Sequence, residues 1–463
     1  MKIKKFVYLT LVFGMLTGCS AEEQTTEVNS EKIETTIPEE KEEVKEPEVV
    51  EESARDLGGM KITIGSWTDV IEPEIKASAQ EEALWEYRNE MMEKHNFTIE
   101  QKAVAKWNGT LELMSTSTMA GDPAAHVFHL FTTFVPTAIN SNLCYDLATL
   151  DSIDLNSDKW DSIVEEVTSR GDSTYGIFPL QQPTIGIFFN KRLFEDVGLD
   201  GDLLYDLQAS GEWTWENFEE ICDKLTRDLD SDGINDVYAI NSLPNRFYMI
   251  APLSNDARYI SFEDEKFVGQ YNNKETVEAF EWVTEFLSGS YDLYPENWKG
   301  QEELFTSGKV AMYIGDHHNV MQFQEMEDDF GFVTFPKGPN AKTNSFSSVA
   351  DCWLIPNTFS KEEAENIAFA LDIWSNPAPG YDGAEDWKLS EYKLFRDERA
   401  VDETLALARK DGVRKFDYHF AMSGFDLAAF YNPLTRNGMS VSEGLESVQG
   451  IWDAAINKAN GEQ

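Results

Sequence analysis

"GEWTWENFEEICDKLTRDLDSDGINDVYAI", residues 211–240, reads as a helix, an acidic loop and a strand in succession. Phe218, Ile221, Cys222 and Leu225 recur at helical spacing on one face. Asp228, Asp230, Asp232 and Asp236 then crowd into nine residues around Gly233. Carboxylates that close repel one another unless a cation or a set of N–H donors holds them. Ca²⁺ loops place acids at positions 1, 3 and 5, a glycine at 6, a backbone carbonyl at 7 and a further ligand at 9. Here those places fall to Asp228, Asp230, Asp232, Gly233, Ile234 and Asp236. Position 12, normally a bidentate glutamate, is Ala239. The expectation is a structural Ca²⁺ loop completed by water or a distant oxygen, weighed against a plain Asp-rich surface turn.

Strand and helix signals alternate on both sides of this stretch. Ile62 and Ile64 alternate with polar residues before Trp67. "AHVFHLF" (125–131) and "IGIFFN" (185–190) are β-rich, and "KRLFEDVGL" reads as a helix ending at Gly198. Ser360 with Glu363, and Ser440 with Glu443, form capping boxes ahead of apolar helices. Such alternation over about 400 residues predicts an α/β protein with more than one sheet.

The first 55 residues carry other signals. Lys2, Lys4 and Lys5 precede an apolar run from Phe6 to Leu16, shorter than the roughly 20 residues of a spanning helix. This is the pattern of a secretory signal over 1–18. "LTGC" resembles the bacterial lipobox, which implies a lipidated Cys19 and attachment by acyl chains (palmitate among them) to the outer face of a cell membrane. Residues 21–55 hold thirteen Glu against three Lys and one Arg, so 19–56 reads as a disordered acidic tether. The remaining cysteines, Cys144, Cys222 and Cys352, are odd in number and widely spaced, and are expected to be buried and unpaired.

The formal net charge of -46 argues against nucleic acid as a partner. No motif for a serine nucleophile, a phosphate loop or a zinc protease occurs. Among 84 acids a chance glycosidase pair is inevitable, and such pairs are defined by separation in space. His317 and His318 are adjacent and cannot share one strand face, which speaks against a transition-metal pair. Aromatic residues stand where loops should leave strands: Trp67, Phe131, Tyr248, Trp353 and Tyr431. Aromatic faces stack on sugar rings, and Asp69, Gln181, Gln182, Arg246, Asp316, His317 and Asp351 could bond the hydroxyls. Taken one at a time, such aromatics more often fill a core.

The 211–240 stretch resembles a signature of the family 1 extracellular solute-binding proteins of bacterial ABC transporters. Other pieces agree in order: "DLGGMKITIGSW", "MAGDPAAHVFHL" (with Ala124 and Ala125 for the usual Pro-Asp), "YGIFPLQQPTIGIFFNKRLFEDVGL", "LFTSGKVAMYIGDHH" and "FGFVTFPKGPN". The resemblance runs from about residue 57 onward. It implies a two-lobed periplasmic-binding fold (type II-like), with lobe 1 built from 57–180 plus 350–376 and lobe 2 from 181–349 plus 377–463. Crossings are implied near Pro179–Thr184, Ser347–Cys352 and Ser375–Gly380. Ligand would lie in the cleft between lobes, against Trp67, Asp69, His129, Phe131, Gln181, Gln182, Asp316, His317, Asp351 and Trp353. Arg246 and Tyr248 would stand in a loop facing it. The implied role is a lipid-anchored, monomeric carbohydrate-binding lipoprotein of a Gram-positive bacterium that serves ABC permease subunits and performs no covalent step. The alternatives are a sensor or adhesin of the same fold, a binder of a cationic solute such as a polyamine, and a surface glycoside hydrolase.

Overall fold

The computed structural model describes residues 55–462 apart from 296, 298 and 299. The signal segment, Cys19 and nearly all of the acidic tether lie outside these residues. No helix among the described residues is long and apolar enough to cross a membrane.

Two sheets organise the chain. The first has four strands in the order Asp351–Leu354, Val127–Phe131, Met60–Ser66, Phe97–Ala103. The last three run parallel, and Asp351–Leu354 runs antiparallel to Val127–Phe131. The second sheet has seven strands. Ile185–Asn190 runs antiparallel to Val310–Asp316 on one side and to Phe330–Val333 and Phe346–Ser347 on the other. Tyr238–Asn241 and Asp292–Leu293 extend it beyond Val310–Asp316, and Arg414–Lys415 closes the opposite edge. Two sheets with helices between their strands form the two-lobed α/β periplasmic-binding fold.

Local signals account for many element boundaries. Thr214 caps helix Trp215–Leu225 by accepting from the Asn217 N–H at 3.3 Å. Both expected capping boxes form, at Ser360–Glu363 and at Ser440–Glu443. Strand Ile185–Asn190 is buried on both faces, and its run of apolar residues shows no alternation for that reason. His126 falls just before the strand that begins at Val127, and its Nδ1 accepts from the Thr63 N–H at 3.2 Å.

The second sheet closes through aromatic interdigitation. Trp213 is fully buried with its indole N–H on the Thr334 carbonyl at 2.8 Å, and Trp215 stacks on Trp282 at 4.3 Å. Gly331 sits opposite Phe189, and a Cβ there would lie 2.2 Å from that ring and 2.7 Å from the Tyr205 hydroxyl. A glycine is required because the phenyl ring occupies the volume of the missing side chain. The three cysteines are buried and unpaired, as their spacing implies.

The chain passes from the first sheet to the second over 178–184, returns over 348–350, and leaves again after helix Lys361–Trp374. Asp161 ties these passages together. Its carboxylate is fully buried and accepts from the Ile163 N–H (2.9 Å), the Gln181 N–H (2.9 Å) and the Arg414 guanidinium (2.8 Å). A second bridge joins helix Val135–Asn140 to the C-terminal helix Val441–Ala459, where the Asn140 amide donates to the Ala459 carbonyl at 2.6 Å.

Two substitutions test these constraints. Asp161→Ala strands the Arg414 charge in a dry site and is expected to destabilise the fold by about 3–5 kcal/mol, read as a lower urea midpoint. Gly331→Ala forces a Cβ into the Phe189 ring and is expected to destabilise by about 1–3 kcal/mol by the same measurement.

Candidate functional site

Where the first two passages meet, their side chains register one against the other. The Gln181 amide oxygen accepts from the Asp351 N–H at 3.0 Å, and its amide nitrogen donates to the Asp351 carbonyl at 3.4 Å. Thr184 accepts from the Val349 N–H through its hydroxyl at 3.1 Å and from the His317 N–H through its carbonyl at 2.9 Å. A cavity of about 300 Å³ opens above this floor. It is lined by Gln181–Thr184, by Val349–Asp351, by Asp316–His318 at the end of a second-lobe strand, and by Phe131 at the end of a first-lobe strand. The structure thus gathers Phe131, Gln181, Gln182, Asp316, His317 and Asp351, six of the twelve residues named from sequence, around one space between the sheets.

The second-lobe wall is the more polar. Asp316 ends strand Val310–Asp316, and the Asn319 side chain accepts from its N–H at 2.8 Å. One carboxylate oxygen of Asp316 pairs with the Arg246 guanidinium; the carboxylate also caps the following turn at the Asn319 N–H, and its second oxygen is buried with no side-chain partner among the described residues. Arg246 is carried on helix Pro244–Ser254, directly after strand Tyr238–Asn241, and not in a loop. His317 and Gln182 share one partner. The Glu391 carboxylate lies 2.8 Å from His317 Nε2 and accepts from the Gln182 amide at 2.8 Å. Glu391 is 4% exposed, on helix Lys388–Leu394. Its charge is also felt by Arg409, whose pKa burial lowers and Glu391 partly restores.

The first-lobe wall differs from the expectation. His129 is buried, with its ring 4.2 Å from Trp67 and 5.1 Å from Phe178. Its Nδ1 is hydrogen-bonded to the Ser66 hydroxyl at 3.0 Å and its Nε2 lies 3.4 Å from the Asp351 carboxylate. It supports Asp351 from behind and does not line the cavity. Asp69 uses its carboxylate to accept from the Ala103 N–H at 2.9 Å, which holds the end of the neighbouring strand. Trp353 is 5% exposed and packs on Phe178 at 4.8 Å; what surface it shows faces a separate groove beside Arg88 and Trp374. Arg88 lies against Trp374 at 3.9 Å, and burial lowers its pKa to about 10.

Tyr248 departs furthest from its expected place. It lies on helix Pro244–Ser254, fully buried, with its hydroxyl bonded to Thr284 at 2.8 Å and burial raising its pKa to about 12. Its ring stacks on Tyr431, which belongs to helix Leu427–Asn437 and not to a loop. The helical run simply continues through a segment whose aromatics resemble a binding loop.

Sequence reasoning missed Glu391, which carries no local signal among 84 acids. Trp107, 53% exposed and 5.8 Å from Phe134, and Tyr294, 57% exposed, do not line the cavity. Trp107, Phe134 and Tyr294 follow the C-terminal ends of strands, at Phe97–Ala103, Val127–Phe131 and Asp292–Leu293. In open α/β sheets those ends are where ligands bind, so position relative to strand ends was the usable signal.

The acidic loop stands apart from the cavity. Carboxylate oxygens of Asp228, Asp230 and Asp236 come within 4.8 Å of one another. Asp232 instead turns to accept from the Ile234 N–H at 2.8 Å. Asp228 accepts from the N–H groups of Gly233 (2.8 Å) and Ser231 (2.7 Å), and these bonds lower its pKa. Gly233 has φ +90°, which lets the loop fold back over Asp228.

A family described as "Bacterial extracellular solute-binding protein" matches residues 86–387. A comparison with curated protein sequences gives no match. Among solved structures, an ABC substrate-binding protein from Listeria monocytogenes in complex with cycloalternan is similar at TM-score 0.58 and 18% identity, over 87% of this chain and 100% of that one. A cyclic alpha-maltosyl-1,6-maltose binding protein from Arthrobacter globiformis is similar at TM-score 0.65 and 12% identity, over 87% and 100%. UgpB from Mycobacterium tuberculosis in complex with glycerophosphocholine is similar at TM-score 0.60 and 14% identity, over 86% and 98%. The matched residues include both passages that frame the cavity and all strands of the two sheets except Met60–Ser66 and Arg414–Lys415, and the chain belongs to the bacterial extracellular solute-binding proteins.

Proposed function

We propose that this chain is the substrate-binding lipoprotein of an ABC importer, anchored on the outer face of the membrane through Cys19, and that it captures a sugar or oligosaccharide. The observation that carries the reading is the cavity between the two sheets, floored by the chain passages and walled by Phe131, Gln182, Asp316 and Asp351. A cavity built on the connections between two lobes changes volume when the lobes rotate, so closure and trapping follow from its position. Buried polar groups on its wall favour a ligand that bonds them and reject one that leaves them unpaired. An aromatic face beside them suits the apolar face of a sugar ring. No bond in the solute is made or broken in this scheme; delivery to a permease follows reopening. The carbohydrate class is supported by a similar structure in complex with cycloalternan and by another described as a cyclic alpha-maltosyl-1,6-maltose binding protein. A cationic solute is the second reading, favoured by the buried Asp316 carboxylate.

The Asp228–Asp236 loop is proposed as a Ca²⁺ clip in the second lobe, with Asp228, Asp230, Asp236 and the Ile234 carbonyl as the protein ligands. Asp232 would have to release the Ile234 N–H to join them.

Three experiments address these readings. Thermal-shift screening of the purified chain against oligosaccharides and polyamines is expected to give a rise in Tm with at least one compound and no product by chromatography; turnover would instead establish an enzyme. Asp316→Asn is expected to weaken that ligand about tenfold or more, because a charged acceptor is lost from a buried position. For the loop, Ca²⁺ at a hundredfold excess over its Kd stabilises by about 2.7 kcal/mol if it binds only the folded chain. An unchanged Tm on adding millimolar Ca²⁺ and then a chelator retires the metal.

A further inference from the structure

We infer that Glu391, from outside the cavity, is the positioning residue that sets its wall to accept hydrogen bonds, so that the solute is recognised through its own donor hydrogens and anionic solutes are excluded. The inference rests on the cavity being the solute site, as proposed above. An ionised carboxylate only accepts. The two groups at Glu391 must therefore be donors: the Gln182 amide N–H and the His317 Nε2–H, each at 2.8 Å. Both side chains belong to residues that line the cavity. With one amide hydrogen held by Glu391, the orientation of the Gln182 amide is fixed and its oxygen is left to accept from a ligand. Without that carboxylate the amide would be free to turn over and the imidazole to change tautomer.

The rest of the wall has the same sense. Asp316 is 5% exposed, caps the turn at Asn319, and has one carboxylate oxygen with no side-chain partner among the described residues. The other is taken by Arg246, so the guanidinium is committed to Asp316. Asp351 adds a second carboxylate, steadied by His129 at 3.4 Å. The Gln181 amide nitrogen, a donor that might have balanced them, gives one of its two hydrogens to the Asp351 carbonyl. The cavity therefore meets a solute mainly with carboxylate and amide oxygens, with the exposed His318 imidazole also on its lining. Hydroxyl and ammonium hydrogens satisfy such a surface. A carboxylate or phosphate would face it unpaired and repelled, which is a heavy penalty in a partly dry site.

Glu391 is separated by more than 200 residues from Gln182 and by more than 70 from His317, so only the folded chain brings the three together. Its burial means that any replacement unable to accept from both partners leaves one donor unsatisfied. Glu391→Gln is such a replacement of equal size, because its amide has one oxygen for two donors.

The test uses the full chain and isothermal titration with maltotetraose, spermidine and tetragalacturonate as probes of neutral, cationic and anionic chemistry. Wild type is expected to bind maltotetraose or spermidine, whichever of the two marks the donor type, and not tetragalacturonate. Glu391→Gln is expected to weaken the bound probe about tenfold or more. In a Gln182→Ala, His317→Ala background the same change is expected to weaken it no further. Tight binding of tetragalacturonate, unchanged affinity in Glu391→Gln, or an equal loss in both backgrounds would overturn the inference. A second readout needs no ligand. Correlation of ring protons and nitrogens at pH 8 is expected to show the His317 proton held on Nε2 in wild type and redistributed in Glu391→Gln. A His317 ring with no ordered Nε2 proton overturns the inference whatever binds. An ordered ring with none of the three probes bound supports the role of Glu391 and counts against the solute classes proposed for the site.

Discussion

A single buried carboxylate governs the geometry of the whole site. Asp161 has no access to water, so its charge has to be matched by donors inside the protein. Three are supplied from three parts of the chain: the first turn of its own helix, the backbone of the first passage at Gln181, and Arg414 near the far end of the chain. Any sliding of one part against another leaves a charge unpaired in a medium of low polarisability. The passage is thereby pinned, Gln181 is placed opposite Asp351, and the floor of the cavity acquires a defined shape.

The site above that floor reflects how few cations this chain has. It carries 38 Lys and Arg against 84 Asp and Glu. Two arginines are nevertheless sequestered at the junction, Arg414 on Asp161 and Arg246 on Asp316. Each neutralises a carboxylate that would otherwise repel its neighbours, while one Asp316 oxygen has no side-chain partner among the described residues. His317 and Gln182 are held by Glu391, and His129 stands behind Asp351. Gln182, His317, Asp316 and Asp351 on the cavity wall are thus each held by, or stand against, a second residue that does not line it. Such support keeps an empty polar cavity from collapsing onto itself before a ligand arrives.

Local order was readable wherever a short-range rule applies. The strand at Ile185–Asn190, the amphipathic helix at Trp215–Leu225 and both capping boxes follow from periodicity and from hydroxyl-to-amide bonds spanning three residues. The cavity residues Gln181, Gln182, Asp316 and His317 were placed at the cleft by the resemblance, on motifs that flank such elements. The same resemblance put Arg246 and Tyr248 in a loop; they lie on a helix, and Tyr248 fills the core against Tyr431. His129 and Trp353 were also misjudged. They lie on strands, and whether a strand residue faces a cavity or a helix depends on layers that the strand itself does not encode.

The sequence by itself determined the class of fold, the order of its elements and the acidic loop, because each depends on groups within a few positions of one another. Only the tertiary structure decided which acids matter. Glu391 and Asp161 look like any of the other carboxylates until folding removes them from water and sets Gln182, His317, Gln181 and Arg414 around them. Burial and partner choice are properties of contacts between distant segments, and the free energy that makes those two residues matter does not exist in the unfolded chain.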